Sequence, residues 1–234
     1  ISQRLCEWEH ASSGFLFPSG MSAIFAVLNL LRKKEKPQVI VIGLLYSESY
    51  TLLMDSGLSS NWEAIFLGLA ELDRLPEILS DKTAMIITET ITNPLGEVPD
   101  LEKIGNIANS FGVPFVVDST LASPANCQPM DYGVDYVIHS TTKYLSGSND
   151  HGGGVVMVKS IPPNVQSTTR APSLCFTDNV PLHHISQPTR SWKKSLICVL
   201  NKKYLVQMYA GFYVAYLYFP SHSLSTKLSI FEGN

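Results

Sequence analysis

Cysteine is scarce and scattered. Cys6, Cys127, Cys175 and Cys198 lie far apart, and no CxxC pair occurs. That spacing matches neither a zinc-ligand pattern nor a disulfide scaffold, and it leads us to expect a reducing, intracellular setting. Neither sign of charge dominates. With a net charge of -3 and only 16% charged residues, the chain offers no basic footprint for nucleic acid and no polybasic membrane patch. No charged-then-apolar leader opens the sequence, and its first residue is Ile1, so a processed chain or a fragment is one expectation. Long hydrophobic runs are also rare. The uncharged stretch 204–219 is shorter than the roughly 20 residues that span a bilayer, so it reads as a buried helix or strand. What remains is the composition of an ordinary globular protein, 234 residues with 45% hydrophobic side chains, enough for one sizeable core or one domain plus an appendage.

Charge splits the chain in two. Residues 1–160 carry 10 Lys/Arg and 18 Asp/Glu, whereas 161–234 carry 7 and 2. The second part opens on Pro162-Pro163, adds four more prolines and loses the regular alternation of elements. The first part alternates clearly. Met21, Ile24, Phe25, Leu28 and Leu31 fall at helical spacing and predict a helix over 20–34, ending in a basic turn. Short β-rich apolar runs follow at 39–42, 64–67, 84–88, 115–117, 136–138 and 155–158. Helices are predicted between them at 72–79 and 101–111, the latter with Asp100 as N-cap. Apolar strands separated by helices form βαβ units, hence an α/β fold with a mostly parallel sheet covered on both faces.

Such sheets bind ligands at the carboxyl ends of their strands. The polar residues just after each run are therefore the ones to inspect: Tyr46, Glu89 to Asn93, Asp118 to Thr120, and Ser140 to Lys143. Asp118 directly follows a buried strand and needs a partner there. A helix cap, a salt bridge or a cationic ring nitrogen would each serve, and a metal is disfavoured because no His or second carboxylate accompanies it. Ser140-Thr141-Thr142-Lys143 places two or more hydroxyls beside an ammonium, which suits an anion such as phosphate. Lys143 is equally suited to attack a carbonyl as a nucleophile. Ser19-Gly20-Met21 opens a helix whose free amides also suit phosphate. Tyr46 can stack on a flat ring or simply pack in the core, and Asn93-Pro94 reads as a turn. No Walker loop, nucleophile elbow or GxGxxG occurs among these segments. Together, a phosphate cradle, a stacking aromatic, an acid for a ring nitrogen and a lysine for an aldehyde are what pyridoxal 5'-phosphate (PLP) requires.

The stretches FPSGMSAI, LYSESYTLL, TETITNPLGEVPDLEKI and VDSTLASPANCQPMDYGVDYVIHSTTKYLSGSNDHGGG resemble the Cys/Met-metabolism PLP enzymes, which include cystathionine γ-synthase and the cystathionine β- and γ-lyases. They come in family order, with 25 residues from Met21 to Tyr46, from Asn93 to Asp118 and from Asp118 to Lys143. The resemblance covers most of 1–160 and implies the aminotransferase-like large domain of fold type I. By the same resemblance Lys143 is the Schiff-base lysine and Asp118 the pyridine-nitrogen partner. Ser140 and Thr142, with the amides of Gly20 and Met21, would hold the phosphate. Tyr46 would stack on the ring and aid proton transfer, and Asn93 would reach the ring hydroxyl. His139 reads as a strand-end packing residue.

Two departures stand out. Ser47-Glu48 replaces the Gly-Gly pair usual after the stacking Tyr, so a different local loop is expected. Residues 161–234, despite Arg170 and Arg190, match no motif of the family's C-terminal domain. The expected activity is that of a transsulfuration lyase or synthase acting on a sulfur amino acid or an activated homoserine, in the cytoplasm, as a homo-oligomer (dimer or tetramer). A catalytically impaired relic, or a partner subunit of a complete homologue, is the alternative.

Overall fold

The computed structural model describes residues 2–54, 62–148 and 150–160, and the strand backbones of 204–209 and 212–217. The chain divides into two units, 1–186 and 187–234.

In the first unit, helix α1 (Ser2–Glu9) precedes strand β1 (Ser13–Phe17) and helix α2 (Gly20–Leu31). Strand β2 (Gln38–Ile42), helix α3 (Ser47–Met54) and strand β3 (Glu63–Leu67) come next. A 3-10 turn (Leu69–Arg74) runs into the short helix α4 (Leu75–Ile78), ahead of strand β4 (Thr83–Glu89). Helix α5 (Leu101–Phe111) leads to strands β5 (Phe115–Asp118), β6 (Tyr136–Ser140) and β7 (Gly154–Val158). These seven strands form one sheet in the order β1-β7-β6-β5-β4-β2-β3. Pairings from β3 to β6 are parallel, and only β6–β7 and β1–β7 are antiparallel. The mostly parallel sheet with flanking helices agrees with the sequence reading.

Side chains alternate across the sheet, so each strand feeds two cores. One face gathers Ile40, Ile86, Phe115, Val117 and Val137 with Leu5 of α1 and Ile104 of α5. The other gathers Val41, Ile87, Val116, Ile138 and Val156 with Ala23, Ile24 and Val27 of α2. Every residue of β4 is buried, which is why that segment reads as an unbroken apolar run rather than an alternating one.

Helix ends follow their capping residues. Ser19 Oγ accepts the Ser22 amide (3.0 Å) at the start of α2, and Asp100 Oδ1 accepts the Lys103 amide (2.9 Å) at the start of α5, as expected. Gly112 closes α5 at φ 63°. Two helices differ from expectation. Helix α2 stops at Leu31, with Arg32 as its cap, so the basic residues lie beyond it. The predicted helix 72–79 is instead the 3-10 turn followed by α4, because Pro76 has no N–H to donate and must sit in the first turn of a new helix.

In the second unit, strands β8 (Tyr204–Tyr209) and β9 (Phe212–Leu217) pair antiparallel, Tyr209 opposite Phe212. The apolar stretch predicted there therefore contains strand, and no described helix is long and apolar enough to cross a membrane. Cys175, Cys198, Arg170 and Arg190 lie outside the described residues.

Candidate functional site

The carboxyl ends of β2, β4, β5 and β6 and the start of α2 converge on one end of the sheet. Gly20 explains how closely α2 approaches β6: a Cβ at Gly20 would stand 2.8 Å from the Cβ of Ser140. The first-turn amides of α2, including those of Gly20 and Met21, have no acceptor within the helix, and Ser140 lies directly against them. That combination is a cradle for an anion. Thr142 belongs to the same segment, but its hydroxyl accepts the Gly153 amide at 3.1 Å.

Asp118 sits at the tip of β5. Its Oδ1 accepts both the amide (2.9 Å) and the hydroxyl (2.5 Å) of Thr120. Thr120 Oγ1 in turn accepts the Ser140 amide at 2.8 Å, so the acid and the cradle are joined through one threonine. Oδ2 of Asp118 accepts no such bond among the described residues and stays available for a cationic N–H. Burial raises the Asp118 pKa, opposed by the Thr120 bonds and by His139.

Glu89 ends β4 in register with Asp118 on β5, and parallel neighbours in register present their side chains to the same face. Glu89 is buried, 6% exposed. Its Oε1 accepts the Tyr46 amide (2.7 Å) and its Oε2 the Asn93 amide (2.9 Å). Burial, then the Asp118 charge, push its pKa up to about 8. Tyr46 is 43% exposed at the start of α3, its carbonyl accepting the Tyr50 amide. Asn93 is half-buried and precedes a cis peptide to Pro94. Glu48 is exposed in the first turn of α3, where a negative charge complements the helix dipole. The loop thus differs from a Gly-Gly turn by becoming helix at once.

Lys143 lies in a single π-turn, Thr141–Leu145, closed by the Ser146 amide to the Thr141 carbonyl (3.0 Å). Its backbone leaves helical geometry at φ -90°, ψ -117°. The side chain is exposed, and among the described residues it forms no ion pair. His139, on the opposite face of β6 from Ser140, is wholly buried, with Nε2 2.6 Å from Oε1 of an equally buried Glu9. It is a packing residue with a carboxyl partner, which the strand-end reading had not included. No three His, Cys, Asp or Glu side chains among the described residues converge as metal ligands.

The family description "Cys/Met metabolism PLP-dependent enzyme" matches residues 1–178 of this sequence. The chain belongs to that family. Among curated relatives, the cystathionine gamma-synthase/O-acetylhomoserine (thiol)-lyase of Bacillus subtilis is 32% identical over 159 residues, 68% of this chain and 42% of the relative. A cystathionine gamma-lyase of the same organism is 34% identical over 154 residues, 66% of this chain and 40% of that one. The cystathionine beta-lyase of Coxiella burnetii is 35% identical, over 66% of this chain and 40% of its own. A crystal structure of metB from Corynebacterium glutamicum superposes with a TM-score of 0.64 at 29% identity, covering 68% of this chain and 41% of that one. This member of the Cys/Met metabolism family thus spans about two fifths of the length of the curated relatives it matches. The family's cofactor is PLP, and the strand-end group fits it: an open amide cradle beside Ser140, an acid with a spare oxygen and an unpaired lysine.

Glu89, Thr120 and Glu9 are the residues to which the sequence reading gave no role. Glu89 and Thr120 stood among the strand-end polar residues, but their partners here are mostly backbone amides, which leave no trace in side-chain pattern. Glu9 meets its partner across 130 residues of chain.

Proposed function

We propose that residues 1–160 form a PLP-binding large domain, with 161–234 a divergent tail. We further propose that the domain serves a transsulfuration reaction, either cystathionine γ-synthase-like or a C–S lyase, on a sulfur amino acid or an activated homoserine. The observation that carries this reading is the Ser140–Thr120–Asp118 hydrogen-bond chain, which links the acid to the segment that runs on to Lys143. When bound, PLP supplies an aldehyde for amines and a ring that withdraws electrons from an adjacent carbanion.

The residues divide the work. Gly20 and Met21 amides, with Ser140 and Thr142 hydroxyls, hold the phosphate; for Thr142 this requires turning its hydroxyl from Gly153. Asp118 Oδ2 keeps a proton on the ring nitrogen. Tyr46 covers one ring face and Asn93 donates to the ring hydroxyl. Lys143 Nζ would be the group that holds the aldehyde and would serve as the carrier of the substrate α-proton. The names of the relatives support a sulfur-containing amino acid as substrate. Tyr50 and Met54, both exposed, lie four residues apart on one stripe of α3 and support a homo-oligomer. The cytoplasm is the compartment we propose.

The test is absorption of the purified chain with added PLP. The wild type should gain a band at the visible edge that Lys143→Ala lacks; no band, or one that survives the substitution, refutes the reading. Turnover of cystathionine or an activated homoserine ester then separates an enzyme from a cofactor-binding relic or partner subunit.

A further inference from the structure

We propose that Glu89 is a positioning residue that clasps together the two loops carrying Tyr46 and Asn93. The proposal rests on the cofactor reading above for what those two residues do, but its geometry stands alone. Strand β4 lies between β2, whose exit leads to Tyr46, and β5, which ends in Asp118. From that central strand one buried carboxyl reaches both loops, Oε1 to the Tyr46 amide and Oε2 to the Asn93 amide.

Each loop is otherwise closed on itself at these points. The 92–97 loop is held by Thr92 and Gly96 or Glu97, through Gly96 N–H to the Thr92 carbonyl and the Thr92 and Glu97 amides. None of those bonds ties it to the sheet. On the other side, the Tyr46 carbonyl is committed to the first turn of α3. The neighbouring strand residue cannot substitute, because successive side chains of β4 point to opposite faces of the sheet, and on its own face the Thr88 hydroxyl donates to the Ile42 carbonyl at 2.7 Å. Both carboxyl oxygens keep acceptor lone pairs whether or not the group carries a proton, so the clasp persists on either side of neutrality. Both bonds are part-buried, and an amide that loses its acceptor there loses a hydrogen bond that solvent restores only in part, which gives the clasp its grip.

An amide side chain separates the clasp from simple packing. In Glu89→Gln the oxygen can serve one backbone amide, while the NH2 group has no lone pair for the other. Residue-resolved hydrogen exchange on the 234-residue chain reads this directly. In Glu89→Ala, exchange at the Tyr46 and Asn93 amides should rise about tenfold or more. In Glu89→Gln only one of the two should rise. The Thr120 and Ser22 amides, held by Asp118 and Ser19, should stay as in the wild type. PLP should also dissociate about tenfold faster from Glu89→Gln. Wild-type protection at both amides in both variants overturns the proposal, as does an equal acceleration at every core amide. If Glu89→Ala does not fold, Glu89→Gln decides. If the wild type takes up no PLP, the cofactor reading fails while the exchange result still judges the clasp.

Discussion

Glu89 and Asp118 occupy matched positions on adjacent strands, and two carboxyls so placed resist ionising together. Burial raises both pKa values, Glu89 from its ordinary 4.5 to about 8. The folded chain therefore keeps a proton that the unfolded chain has released. Between about pH 4.5 and 8 the native state binds more protons, so its stability falls as pH rises and the benefit is gone above the folded value. Chemical denaturation of the cofactor-free protein across that window should show the decline, and Glu89→Gln should flatten it. Elsewhere, Glu9 and His139 form a wholly buried pair. Removing one partner of such a pair leaves a polar group without compensation, so Glu9→Ala should cost roughly 3 kcal/mol in unfolding free energy, measured by denaturant titration. The places of Asp118, Ser140 and Lys143 at or just past strand ends were legible in the sequence because an apolar run precedes each of them. Glu9 was not, because nothing within a local window hints at a partner on β6.

At the level of elements, the approach of α2 to β6 and β7 depends on two residues without side chains. Gly20 meets Ser140, and a Cβ at Gly154 would run into the Ser19 carbonyl, with the Gly20 amide 2.8 Å away. Since both Gly154 neighbours are backbone, no rotamer change relieves the clash. Gly154→Ala should therefore destabilise the protein by roughly 1–3 kcal/mol. It should also weaken PLP binding about tenfold by shifting the helix amides that we propose hold the phosphate, a change that equilibrium titration would read. Six of the seven strands of the main sheet were legible as apolar β-rich runs, each within two residues of its observed ends. Strand β1 was missed because its residues are only partly covered and one is exposed, leaving Ser13–Phe17 without the continuous apolar signature of β4. Helix α3 was hidden for a related reason: only Ser49, Leu52 and Leu53 are buried, and one of those is polar. Helix α4 shows the opposite limit, where Pro76 overrode a helical period.

For the whole molecule, the parallel strands β2, β4, β5 and β6 point their carboxyl ends one way, and the residues of the proposed site collect there because loops at that end are free to vary over a buried scaffold. The fold class was legible from alternation alone; the site needed the family resemblance to select one chemistry from several. The exposed α3 stripe yields a prediction at this scale. Sedimentation of the 234-residue chain should show a dimer or larger assembly, and Tyr50→Glu together with Met54→Lys should shift it toward monomer. The central claim is that Lys143 is the covalent anchor of PLP, with Asp118 at the ring nitrogen. Borohydride treatment of the PLP-loaded chain, followed by peptide mass spectrometry, tests it most directly. A phosphopyridoxyl mass confined to the peptide containing Lys143 is the predicted result; a label spread over surface lysines, or none at Lys143, would contradict the account.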